Sequence, residues 1–371
     1  MSQLISIATA VPEFKMHQSD VAEFMVNILN LTGRDADRIR ALYHRSAIDT
    51  RYSVLPDYGS PIDERTFYPK SRDLEPFPDV ADRMKTFHPN AAKLAIRSAK
   101  KAIEHLPDGL QITHVLSVTC TGLAAPGLDI ELVEALNLPT STFRSSVNFM
   151  GCYAAFHALK LADALCKADP AAVVLVDAVE LCTLHFQKLN EPDHLLANSL
   201  FADGSASAIV VSDSISRDHR LKGLKIKNFH SELAFSGRKD MAWSVSPTGF
   251  LMTLSSYIPE LVKSGIKPLA DMALAASGLS VSNVDHWAIH PGGRKILEST
   301  ASALDLPIEK LQNSFDILRK YGNMSSPTVL FVLERLWRKH LDFSRKETVF
   351  SAGFGPGLTL ESMVFESTDG Q

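Results

Sequence analysis

Three polar residues stand among small and apolar neighbours: Cys152 in FMGCYAAFHALKLA, His290 in IHPGG and Asn323 in YGNMSSPTVLF. A thiol, an imidazole and an amide supply what acyl transfer needs: a nucleophile, a base beside it, and a donor for an oxygen that turns negative. Cys152 follows Gly151 and opens an apolar helical run. The first turn of a helix offers unpaired N–H groups and the positive end of a dipole. Both favour thiolate over thiol, and a protonated histidine would favour it further. A free cysteine is more often simply buried, and Cys166 in the same helix reads that way. After His290, Pro291 ends a strand, and Gly292 and Gly293 let a ligand approach the backbone. Asn323 suits an N-cap, and an amide beside His can equally form a two-donor oxyanion hole.

An approximate internal repeat of about 171 residues must place these groups. HVLSVTC and VDHWAIH are strands, each followed by a helix, ending in ALNLPTS and ALDLPIE. FRSSVNFMGCYAAFHALKLADAL and FDILRKYGNMSSPTVLFVLERLW then each run from Phe to Gly and into a long apolar helix. Each helix leads to an apolar strand, AAVVLVDAVE and ETVFSAGFG. This order implies an α/β fold with two related sheets and duplicated halves, 1–220 and 221–371, joined near Ser214–Leu221. Helices apolar on nearly every face are buried, so the two after Gly151 and Gly322 belong between the sheets. The repeat also matches the strand ends Cys120 and His290, and α/β folds expose reactive groups at strand ends and helix starts.

Leu4–Ala10 reads as a strand, Gln18–Leu31 and Asp35–Ile48 as helices, and Asn90–His105 as an amphipathic helix. His114–Cys120 is a buried strand, and the Pro-rich segment Leu55–Asp79 is a long surface excursion. Arg34, Arg38 and Arg45 share one helical stripe, which is either a solvated face or a seat for phosphates.

Of 371 residues, 45% are hydrophobic and 22% charged, so a disordered or collagen-like chain is excluded. A net charge of −4 argues against a nucleic-acid partner. Apolar runs are broken before the ~18 residues that a membrane span needs. The start has no basic n-region, and four cysteines without a CxxC point to free thiols in a reducing cytosol. Thirteen histidines include no HExxH, so no metal site is expected.

The segments around Cys152, His290 and Asn323, with LFADGSASAIVV and AGFGPGLTLES, resemble the type III polyketide synthases, the chalcone synthase-like branch of the thiolase superfamily. The resemblance runs from the opening strand to about Phe365. It implies a thiolase-like αβαβα sandwich and a Cys152-His290-Asn323 triad. It also implies acyl-CoA starters, malonyl-CoA extenders, no further cofactor, no acyl carrier protein, and a homodimer. Phe201 matches a gate between the CoA tunnel and the cavity. Arg38, Arg45, Gly292 and Gly293 match CoA-binding positions, while a third basic position is Ala41 here, leaving Arg40 as a substitute. Cys120, Cys182 and His185 align with cavity positions that are usually Thr, Trp243 with a Gly, and Met252 with a Phe; Ser325 also falls at the substrate. Those departures, with the longer Leu55–Asp79 segment, point away from a flavonoid and towards an alkylresorcinol, a pyrone or a small phenol. An initiating ketoacyl synthase would carry Gln-Ala-Asn after its His, and a degradative thiolase a second Cys in its C-terminal loop. A papain-type hydrolase would want a CGSCW-like surround, and a dead scaffold would not keep all three triad contexts.

Overall fold

A computed structural model describes residues 2–255 and 257–371. The first half contains β1 (Ser2–Ala10), β2 (Phe14–His17), α1 (Gln18–Ile28), α2 (Gly33–Arg45), β3 (Thr50–Ser53), α3 (Val80–Ile103) and β4 (His114–Thr119). It continues through α4 (Leu128–Ala135), β5 (Phe143–Asn148), α5 (Ala154–Ala168), β6 (Val173–Leu181), α6 (Pro192–Leu200), β7 (Asp203–Ser212) and α7 (Asp213–Asp218). The second half contains β8 (Gly223–Leu233), β9 (Met241–Ser246), β10 (Gly249–Leu254), α8 (Ile258–Ala275), β11 (His286–Ile289) and α9 (Arg294–Ala303). It closes with α10 (Gln312–Tyr321), α11 (Thr328–Lys339), β12 (Thr348–Gly355) and β13 (Thr359–Thr368).

Alternation along the strands builds the layers, because successive side chains of a strand point to opposite faces. Val115, Val173 and Leu175 pack under α1, α3 and α4. Their neighbours Leu116, Val118, Val174 and Val176 face inward onto Ala155, Leu159 and Ala162 of α5 and Leu330 and Leu333 of α11. In the second half Val349, Met363 and Phe365 join that inner layer, while Trp287, Ile289 and Phe350 pack under α8 and α9. The result is helix, sheet, helix, sheet, helix, the thiolase-like sandwich, with α5 and α11 at its centre.

Several expectations change. The two sheets are one hydrogen-bonded sheet of nine strands, in the order β11-β12-β13-β8-β1-β7-β6-β4-β5. They fuse where Gln3 and Leu4 pair with Lys225 and Leu224. The repeat departs locally: FRSSVN is strand β5, whereas the matched FDILRKY is helix α10, whose Ser314, Ile317 and Leu318 form a buried helical stripe. The joining segment is largely helical (α7), capped by the Ser212 hydroxyl on the Ile215 N–H. Helix α3 starts ten residues before Asn90, because Asp79 caps it through the Asp82 N–H at 2.8 Å. Leu55–Asp79 is not a surface excursion throughout. Leu55, Tyr58, Tyr68 and Leu74 are buried, and Asp57 accepts backbone N–H groups of Thr66, Phe67 and Tyr68. Tyr58 and Tyr68 pack edge-on against Phe186, whose contribution lies far away in sequence.

Beneath α3 lies a buried carboxyl with no cation against it among the described residues. Asp177 accepts from Ser98 (3.0 Å) and Ser207 (2.5 Å), and burial pushes its pKa from 3.8 to about 7. The folded state therefore binds a proton that the unfolded state has released. Stability from this group is fully present below 3.8 and is lost as pH rises through 7. Between those values the parent should lose about 1.4 kcal/mol per pH unit at this site. Denaturant curves from pH 5 to 8 should be flatter for Asp177→Asn than for the parent, and parallel curves would refute the assignment.

Candidate active site

Cys152 lies in a turn just ahead of α5, whose first residue is Ala154, and not in its first helical turn. Gly151 sets that turn with φ +86° and accepts the Ala154 N–H at 3.0 Å. A side chain on Gly151 would meet Pro356 at 2.3 Å, so the GFGPGL loop closes directly on the turn of Cys152. His290 ends the strand that begins as β11, its N–H bonded to Ala352 O at 2.8 Å. Asn323 precedes α11 by five residues and does not cap it, since Pro327 holds that position. Its Oδ1 accepts the Ser325 N–H at 2.8 Å and its Nδ2 donates to Gly292 O at 3.3 Å. Ser325 sits at φ 58°, a left-handed conformation that is uncommon for a non-glycine residue and typical of a constrained site.

These three residues share one cavity of about 780 Å³. Cys120, Cys182, Phe201, Trp243, Met252 and Ser325 line the same space. So do Gly292 and Gly293, and at the entrance Arg38 and Arg45 with Arg34 of the same α2 stripe. Phe201 is tied to the triad through backbone: Ala202 N–H bonds to Asn323 O, and Asn323 N–H to Leu200 O, both at 2.9 Å.

Two sequence expectations move. His185 does not line the main cavity but stands behind its wall, bonded to Thr121 O and to the Phe250 N–H. Arg40 does not replace the missing basic position at Ala41. Its guanidinium is held by Glu23 at 2.6 and 3.0 Å and by Asp37 at 3.2 Å, away from the cavity.

Burial works against the thiolate expected at Cys152. Burial drives the Cys152 thiol up to about 11; Ser325 and Asn323 pull in the other direction without offsetting it. Burial drives His290 down to about 3, and among the described residues neither ring nitrogen has a hydrogen-bond partner. Desolvation thus favours the uncharged form of each group. Cys120 and Cys182 are raised as well, first by burial and then by Glu180.

Glu180 was not singled out by sequence, although it is an acid in the apolar run AAVVLVDAVE. It accepts from Ser326 Oγ (2.5 Å), Thr121 Oγ1 and the Cys120 N–H (both 2.8 Å), so it braces both the β4 end and the Asn323 loop. Arg294 and Lys295, directly after Gly293, add two cations to the entrance. Among the described residues no group of three His, Cys, Asp or Glu could hold a metal, and no helix is long and apolar enough to cross a membrane.

A Cys-His-Asn site at the centre of this sandwich is that of a thiolase-fold condensing enzyme. Residues 1–214 match the family model described as chalcone and stilbene synthases, N-terminal domain, and residues 225–369 match the C-terminal domain. The chain is 31% identical over 361 residues to the alpha-pyrone synthesis polyketide synthase-like Pks18 of Mycobacterium tuberculosis, covering 97% of this chain and 90% of the relative. It is 29% identical to a putative chalcone synthase of Bacillus subtilis, over 98% of each chain. The crystal structure of PKS-I from the brown alga Ectocarpus siliculosus superimposes with a TM-score of 0.90 at 28% identity, over 99% of this chain and 98% of that one. The chain belongs to the chalcone and stilbene synthase family: it is a type III polyketide synthase, an acyltransferase acting on CoA thioesters.

Proposed function

We propose that Cys152 carries an acyl starter while malonyl-CoA extends it, and that the chain then cyclises to a pyrone, an alkylresorcinol or a small phenol. The observation that carries this reading is a single cavity running from the arginines of α2 to Cys152, His290 and Asn323. His290, as a neutral base, takes the Cys152 proton as the sulfur attacks the starter thioester, and CoA leaves as the thiol. Malonyl-CoA next loses CO₂. Its enolate oxygen is stabilised by His290 and Asn323, and its carbon attacks the Cys152 thioester. The C–S bond to Cys152 breaks, leaving a chain two carbons longer on CoA. That chain returns to Cys152 for the next cycle.

A pyrone is favoured by the likeness to Pks18, whose name states alpha-pyrone synthesis. The enzyme draws on CoA thioesters directly, without an acyl carrier protein or another cofactor, and works in the cytosol, which four buried free thiols suit. A homodimer is supported by β5, which among the described residues pairs only with β4 and exposes Phe143 and Arg144 on an open edge. Mass spectrometry of products from labelled malonyl-CoA and a panel of acyl-CoA starters tests the reading. Cyclised polyketides carrying label are expected, and hydrolysed starter alone would overturn it.

Arg38 and Arg45 hold the CoA phosphates in this reading. Replacing both with Ala should raise KM for malonyl-CoA more than it lowers kcat, because phosphate contacts are the same in ground and transition states. The effect should shrink at high salt, since screening reaches exposed charges. An unchanged KM would return α2 to a solvated face.

A further inference from the structure

One wall of the cavity is the hairpin of β9 and β10, which pairs with no other strand among the described residues. Met241 and Trp243 of β9 and Met252 and Leu254 of β10 face the cavity. The tip of the hairpin is tied down by Gln187, which bonds Thr248 O at 3.0 Å, and by the Val80 N–H on Pro247 O at 2.8 Å. Its middle is held differently, by two side chains on consecutive carbonyls after β4. Trp243 Nε1–H donates to Cys120 O at 2.8 Å, and His185 Nε2–H donates to Thr121 O at 2.6 Å.

The tautomer of His185 follows from its other nitrogen, since Nδ1 accepts the Phe250 N–H at 3.0 Å. The imidazole also stacks on Phe250 with centroids 4.2 Å apart, and Trp243 stands edge-on to both rings. Burial keeps the imidazole neutral, with a pKa of about 3, so these bonds persist across the working range of pH. Cys120 receives the Gly151 N–H on its sulfur at 2.9 Å. The segment that holds the wall is therefore the same one that holds the turn of Cys152. Behind the wall lies a second space of about 40 Å³, bordered by His185 and Phe250 and sharing Cys182, Phe201, Trp243 and Met252 with the main cavity.

We infer that His185 is a positioning residue: it latches the hairpin wall to the Cys120–Thr121 segment and so fixes the distance from the acyl anchor at which a growing chain must stop and fold. This rests on the proposed function. A latched wall excludes the small space behind it, and a released one lets the chain use it. A displacement worth one methylene changes a product ratio about four-fold.

The test compares the parent with His185→Phe, which keeps the stack and drops both hydrogen bonds, and with Trp243→Phe, which drops the indole donor. Amide hydrogen exchange over 241–254 should speed up in both variants, with β4 and α5 unchanged. Starter loading on Cys152 should persist in His185→Phe, which touches no substrate. Products should shift by about four-fold or more towards chains with an additional extension. The double variant should shift little beyond the larger single effect, because both changes free the same wall. Unchanged exchange in the hairpin would show that His185 is no latch, and faster exchange with unaltered product ratios would show that the wall does not set chain length. A parent that releases no CO₂ from malonyl-CoA would defeat the proposed function instead, and the exchange result would still decide the latch.

Discussion

Cys152→Ala should carry no acyl group after incubation with labelled starter, and product formation should fall by at least ~10³-fold, the scale on which losing a nucleophile acts. Three buried thiols share the cavity, so the choice among them must come from their surroundings. Cys120 already accepts the Gly151 N–H on its sulfur, and its carbonyl is taken by Trp243. Cys182 is raised by burial, then by Glu180 and Asp203. Cys152 alone has the side chains of Ser325 and Asn323 favouring its ionised form. Peptide mapping of the label checks the assignment, and label on Cys120 or Cys182 would reverse it. The protonation state gives a second readout. With the thiol at about 11, the rate of iodoacetamide labelling at Cys152 should climb roughly ten-fold per pH unit from 7 to 9. A plateau beginning near neutrality would mean that the thiolate–imidazolium pair is the resting state after all.

That last point marks where the sequence stops being informative. That Cys152, His290 and Asn323 meet in one cavity was legible because each sits in a segment whose glycines and prolines have no purpose in a plain strand or helix. The arginine stripe of α2 was legible because a period of 3.6 reports one face directly. Desolvation of Cys152 and His290 was not, since it comes from residues that are remote in sequence. The fate of Arg40 was not legible either, because Glu23 lies on the preceding helix and its reach across to α2 is a tertiary property. His185 was placed one layer too far inward for the same reason: alignment gives a position along the chain, whereas the stack on Phe250 decides which way the ring turns. Burial of Tyr58 and Tyr68 likewise needs Phe24 and Phe186, neither of which belongs to the Pro-rich segment itself. The single nine-stranded sheet hangs on a two-residue pairing between β1 and β8, too short to leave a pattern.

Asn323→Ala should lose malonyl-CoA decarboxylation by ~10²–10³-fold, the usual cost of one oxyanion donor, while Cys152 still accepts a starter. The geometry separates the two steps. Asn323 Oδ1 is occupied by the Ser325 N–H, which orients the amide so that Nδ2 points to Gly292 O, in a long bond at 3.3 Å, on the cavity lining. His290 has both ring nitrogens unpartnered beside it. An enolate oxygen formed there gains a donor from each, and at His290 the protein has already met the cost of burying a donor without a partner. Starter loading needs the imidazole as a base and leans on the amide less. His290→Ala should therefore abolish both steps, and Asn323→Ala chiefly one. Folding is a weak confounder, because the bonds that pair Asn323 with Leu200 and Ala202 belong to the backbone and survive truncation. Asn323→Asp sharpens the test. It keeps the shape but sets a carboxylate against a developing negative charge, so it should decarboxylate more slowly than the Ala variant. Released CO₂ and acylated Cys152 can be measured on the same preparations. Undiminished CO₂ from Asn323→Ala would remove the amide from the mechanism and leave His290 as the sole donor to the enolate.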